Sequence, residues 1–130
     1  METLRTSGLS AIAQVAITVS DIPRAIKFYR EVLGLPFLFE APGMAFFQAG
    51  EVRLMLGLAE AENPAHYSSI VYFKSDDIMA AYRVLADRGV TFTHEPRIVH
   101  RGQKTDVWIG FFHDPDQNVL ALMSESARRE

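Results

Sequence analysis

From residue 11 to residue 19 the chain is dominated by Ile12, Val15, Ile17 and Val19, while Gln14, Ala16 and Thr18 take the other parity. A β-branched run of this kind predicts a strand with one greasy face. At Ile22 the period changes, because Ile22, Ala25, Ile26, Tyr29 and Leu33 recur at the spacing of a helix that buries one side. Ser20 and Asp21 supply N-cap oxygens, Pro23 suits a first turn, and Gly34 is placed to stop the helix in the left-handed conformation. After residues 37–40, the turn Ala41-Pro42-Gly43 leads into a strand over 44–49, and Gly50 turns it into another over 52–58.

The same pattern is then written again. Residues 14–37, QVAITVSDIPRAIKFYREVLGLPF, superpose on 70–92, IVYFKSDDIMAAYRVLADRGVTF, pairing Val15 with Val71, Asp21 with Asp77, Ile22 with Ile78 and Ala25 with Ala81. After one deletion Gly34 meets Gly89 and Phe37 meets Phe92. Further on, Phe46-Phe47-Gln48 is answered by Phe111-Phe112-His113. Each half therefore reads as strand, helix and three strands, joined by the polar stretch 59–67. In the second half, Asp76 or Asp77 caps a helix burying Ile78, Ala81, Tyr82 and Leu85, and Gly89 ends it. PRIVHRGQ, residues 96–103, reads as a basic loop before a strand over 105–113. Asp114-Pro115-Asp116-Gln117 is a tight turn, 118–123 the last strand, and SESARRE a solvated tail. Residues 1–10 lack periodicity and read as a loose lead-in.

Composition narrows the partners. A chain of 130 residues buries enough surface to need no crosslinks, and the absence of cysteine removes disulfides, thiolate metal sites and cysteine nucleophiles. That suits a reducing compartment, and with neither a signal peptide nor a membrane span in the pattern the cytoplasm is expected. With 13 Lys and Arg against 16 Asp and Glu there is no footprint for nucleic acid or an acidic membrane. A small molecule or a second copy of the chain is the expected partner.

The segments VSDIPRAIKFYREVLGL, SDDIMAAYRVLADRGV and FFHDPDQNVLALMSE together resemble the vicinal oxygen chelate superfamily of glyoxalase I, extradiol dioxygenases and bleomycin-resistance proteins. The resemblance runs over residues 11–125. It implies an α+β fold in which two βαβββ modules, 11–58 and 68–125, form one domain with a cupped mixed sheet. It also implies, for the enzymes of the family, a divalent metal held by one residue from each of four strands and acting as a Lewis acid. Carried onto this chain, those positions fall on Gln14, on Ile70, on Leu54 or Met55, and on Ala121. One amide oxygen cannot hold a hard cation against water, so no metal or other cofactor is expected. Gln117 stands where the family commonly has glycine.

If Gln14 faces the cup, Ala16 and Thr18 do too, and Ile70, Tyr72 and Lys74 line up on the partner strand. Alternation puts Leu54 and Leu56 under the helix and turns Arg53 and Met55 to the cup, since an arginine buried against the helix would lack a partner. The family's pattern implies that Phe46, Ile109 and Phe111 face it as well. His100, with Arg101 and Lys104, lies in a loop that could cover the cup. The candidate ligand-binding residues are thus Gln14, Thr18, Phe46, Arg53, Met55, Tyr72, Lys74, His100, Ile109 and Phe111. For Arg53 a salt bridge to Asp106 or Glu40 stands beside contact with an anionic ligand. His66, His94, His100 and His113 are scattered, and a metal site rebuilt from His100 and His113 is the exception to their reading as surface residues. No serine lies on a strand-to-helix elbow and no phosphate loop is present, so catalytic residues stay unassigned.

The expected function is metal-free binding of a small, largely apolar or aromatic molecule. Two alternatives stay open: a divalent-metal-dependent lyase or dioxygenase of glyoxalase type, and a fold kept as a dimeric interaction module. Open edge strands and the family's habit imply a homodimer.

Overall fold

The computed structural model describes residues 11–59 and 69–127, so the lead-in and most of the central linker, His66 included, lie outside the described residues. Strand β1 (Gln14–Val19) is followed by helix α1 (Ile22–Lys27), strands β2 (Phe37–Ala41), β3 (Met44–Ala49) and β4 (Val52–Leu58). The second half repeats the order with β5 (Val71–Lys74), α2 (Ile78–Asp87), β6 (Arg97–Arg101), β7 (Thr105–His113) and β8 (Val119–Ala127). Each half makes one mixed four-stranded sheet, ordered β1-β4-β3-β2 and β5-β8-β7-β6. In both, the first strand pairs parallel with the last and the other pairings are antiparallel. The fold is α+β.

Local chemistry explains the helix ends. The Asp21 carboxylate accepts from the Arg24 amide at 3.0 Å and Asp77 from the Ala80 amide at 3.1 Å, so of the two aspartates offered for the second cap it is Asp77 that serves. Gly34 and Gly89 follow the helical segments with φ of +77° and +89°, where a Cβ would be strained. Between them, α1 does not run uniformly to its end: Phe28–Val32 widens into π-helical turns. This widening accompanies full burial of Tyr29, whose hydroxyl donates to Asp114.

Two expectations need correction. The segment over 96–103 is not a loop, because Arg97–Arg101 forms β6 and pairs with β7 across a bulge between Ile98 and His100. The duplicated strand is displaced: Phe92 makes only an isolated bridge to Phe112, Pro96 packs over Gly110, and regular pairing starts at Arg97. A Cβ at Gly110 would stand 2.9 Å from the Pro96 ring, so glycine there makes room for the detour. The tail is likewise less solvated than its polarity suggests, since Ser124, Glu125, Ser126 and Ala127 continue β8 and Ser124 is buried.

The helix-bearing faces of both sheets turn inward onto one core. Ile17, Leu54, Leu56 and Phe47 from the first half join Phe112, Leu120 and Leu122 from the second, with Tyr29, Ile78 and Leu85 from the helical segments among them. The turn after β7 fastens the halves. Asp114, 2% exposed, accepts from the Tyr29 hydroxyl, from the amides of Asp116 and Asn118, and from the Asn118 side chain, each at 2.8 Å. Asn118 also donates to the Thr18 carbonyl at 2.9 Å, while Asp116 accepts from the Ser20 amide, the Ser20 hydroxyl and Arg24. Gln117 closes this turn at φ +67°, the one non-glycine among the described residues with positive φ. Replacing Gln117 with glycine is expected to relieve up to about 1 kcal/mol, read as a rise of a few degrees in melting temperature.

Candidate functional site

With the helix-bearing faces inside, the opposite faces of both sheets look outward, and strand register fixes what they carry. On the first sheet Gln14, Arg53 and Gln48 are cross-strand neighbours, and Ala16, Met55, Phe46 and Phe39 form the next row. Thr18 lies beyond them beside Gly57. Leu54 and Leu56 are buried under the helix, so the alternation that turned Arg53 and Met55 outward holds. Of the two residues that the resemblance offered on β4, Met55 faces outward and Leu54 is buried.

On the second sheet Tyr72, Ala121 and Phe111 share a row, and Lys74, Met123, Ile109 and Arg97 share the next. Glu125, Val107 and His100 follow. A groove of about 470 Å³ on this face is lined by Tyr72, Lys74, Thr105, Met123 and Glu125, all from the second half of the chain. The sequence had anticipated one cavity shared by both halves, but because each face looks away from the common core this groove draws on one sheet. A larger groove of about 760 Å³ lies on the inner side of the second sheet, by the first turn of α2, with Arg101, Asp106 and Trp108 among its walls. It lies where β7 and β8 run on past the helix that covers them, and apart from Ala127 at the end of β8 its strand residues belong to the inner face.

The outward faces carry paired aromatics. Phe46 and Phe39 stack with centroids 4.4 Å apart, and the Arg53 guanidinium lies 5.9 Å from the Phe46 centroid. Tyr72 meets Phe111 edge-on at 6.1 Å. Phe39 and Tyr72 remain 47% and 45% exposed, unusual for rings of this size. Arg53 makes no ion pair with any described residue: Asp106 lies on the inner face of the other sheet, 3.9 Å from Arg101, and Glu40 belongs to the opposite side of β2. Phe39, Gln48, Arg97, Met123 and Glu125 belong to these rows although sequence reasoning did not select them. Alternation from Ala121 through Met123 would have reached Glu125 had the tail been read as strand. Arg97 was hidden by the loop reading.

The four positions at which the family's enzymes hold metal carry donors that do not suit an ion. Ile70 and Ala121 offer hydrocarbon, and Met55 offers a thioether to which the Gln14 amide donates at 3.8 Å. Among the described residues no three His, Asp or Glu side chains gather in a way that could hold one. His100 and His113 cannot rebuild a site together: His100 sits opposite Val107 and His113 ends the same strand six residues on, roughly 20 Å away at strand rise.

Two βαβββ halves, each a mixed four-stranded sheet, define a glyoxalase-like fold, and comparison with known proteins agrees. The chain belongs to the Glyoxalase/Bleomycin resistance protein/Dioxygenase superfamily, whose model matches residues 11–122. It is 26% identical to the uncharacterised protein YraH of Bacillus subtilis over 125 residues, 85% of this chain and 95% of that one. It is 30% identical to the metallothiol transferase FosB of Staphylococcus haemolyticus over 73 residues, 53% of this chain and 52% of that protein. Among solved structures, TnmS3, an antibiotic binding protein from Streptomyces sp. CB03234, superposes with a TM-score of 0.74 at 24% identity, over 93% of this chain and all of that one, a likeness of fold. Among the described residues no helix is long and apolar enough to cross a membrane.

Proposed function

We propose that this protein is a metal-free small-molecule binder whose cup is completed by a second copy of the chain. The donor set carries this reading: Gln14, Ile70, Met55 and Ala121 leave one amide where the family's enzymes place four ligands, and Met55 already engages that amide. What surrounds those positions is suited to holding a flat apolar molecule: the Phe39–Phe46 stack, the Tyr72–Phe111 pair, Ile109 and Met123, with Gln14, Arg53, Lys74 and His100 as polar handles. Because the two faces look outward from a shared core, closing a cavity over them takes a second molecule, and exposed Phe39 and Tyr72 are what such contact would cover. A cysteine-free chain of this kind suits the cytoplasm. The likeness of fold to TnmS3, described as an antibiotic binding protein, supports a sequestering role.

A second reading, a metal-dependent transferase, lyase or dioxygenase, draws on the similarity to FosB, which covers half of each chain. Ligand binding measured with and without a chelator separates the two. The proposed binder is expected to gain several degrees of melting temperature from an aromatic ligand equally in the presence of EDTA, and to scatter light with a mass near twice its 14.6 kDa. Binding abolished by EDTA, or a chain that stays monomeric at micromolar concentration, would contradict it.

A further inference from the structure

We infer that the occupant of the cup is an aromatic anion, held by Arg53 over the Phe39–Phe46 platform. The inference rests on the reading of the outward faces as a binding cup and names what that cup takes. Its starting point is a charge imbalance. The chain as a whole has net charge −3, yet the outward rows carry Arg53, Lys74 and Arg97 against Glu125 alone. None of the three cations makes an ion pair with a described residue, whereas Arg24 and Arg101 elsewhere do. When two such faces meet, positive charge is brought together in a space lined by aromatic rings and thioethers. An anion between the walls offsets that repulsion, and its value there exceeds its value in water.

Arg53 is the better anchor of the cations. Lys74 shares its groove with Glu125, which offsets it, and Arg97 lies on β6, the edge of the sheet opposite β5. Arg53 is flanked in its row by Gln14 and Gln48 and lies 5.9 Å from the Phe46 ring centre. A planar guanidinium beside a stacked ring pair presents paired donors to a carboxylate or sulfonate while the ligand's ring extends over Phe39, whose outer side is exposed. A cationic or neutral ring would leave the arginine without a counterpart.

The test uses two probes of one shape, 2-naphthoate and its neutral analogue 2-naphthamide, titrated calorimetrically into the full chain. The naphthoate is expected to bind at least about tenfold more tightly, with the difference shrinking as salt is added. Arg53→Gln, at an exposed position where folding is not at stake, is expected to abolish the preference, bringing the naphthoate down to the affinity of the amide in the same variant. Phe39→Ala is expected to weaken both probes alike. Equal affinity for the two probes, or an unchanged preference in Arg53→Gln, overturns the inference while leaving a binding cup in place. Failure of both probes to bind removes the cup reading along with it.

Discussion

Replacing Asp114 with alanine is expected to cost on the order of 4 kcal/mol, enough to lower the melting temperature by roughly 15 °C in a chain of this size. The carboxylate is buried at 2% exposure and accepts four hydrogen bonds, so its removal strands the buried Tyr29 hydroxyl, takes the partner from two backbone amides and leaves the Asn118 side chain only the Thr18 carbonyl. The same junction writes a signature in alkaline pH. Burial, then the charge of Asp114 and its hydrogen bond, push the Tyr29 hydroxyl far above the ordinary phenol range. The folded chain therefore keeps a proton that the unfolded chain surrenders above about pH 10. This contribution is complete below pH 10 and drains away above it, by about 1.4 kcal/mol per pH unit. Urea denaturation from pH 8 to 11 is expected to show that decline, and Tyr29→Phe to make it shallower. A slope unchanged by Tyr29→Phe would mean that other groups set the alkaline limit.

The second large effect comes from restoring donors to the vacant positions. A chain carrying Ile70→His, Ala121→Glu and Met55→Glu gains three ligands to join Gln14. Without metal the change is costly, because Ala121 has no exposed surface and lies between Tyr72 and Phe111, where a new carboxylate finds no partner. Its pKa must rise, and the variant is expected to melt at least about 10 °C below its parent. Nickel or zinc should restore most of that loss, since an ion bound by the folded state alone stabilises it. Gln14 and Met55 stand on one sheet and Ile70 and Ala121 beside the other, so recovery requires that the two outward faces meet across a pair of chains. Ala121→Glu alone should show the loss and no recovery. A triple variant that metal fails to rescue would mean the four strands never converge.

The duplication makes the architecture legible in the sequence. Periods of two and 3.6, the aspartate cap and Gly34 marked the strands and the helix of the first half, though not the π-helical turns over Phe28–Val32, and alternation put Arg53 and Met55 outward because Leu54 and Leu56 had to be buried. The second half was harder for a local reason. Between Phe92 and Arg97 the chain swings past β7 over Gly110, and the polar, basic composition of 96–103 masked a strand whose pairing partner lies far along the sequence. Glu125 and Arg97 were missed through that same dependence on long-range pairing. What sequence could not show is which way the cup faces turn. That is decided by how the helices of the two halves pack, with Tyr29 reaching Asp114 across 85 positions, and no periodicity records it.

A cup without metal is tested most directly by elemental analysis of the unmodified protein. Purified without chelator and dialysed extensively, it is expected to retain well under one divalent ion per ten chains by plasma emission, since one amide cannot outcompete water for such an ion. About one nickel, zinc, manganese or iron per chain, surviving dialysis, would contradict the account and restore the metal-dependent enzyme in its place.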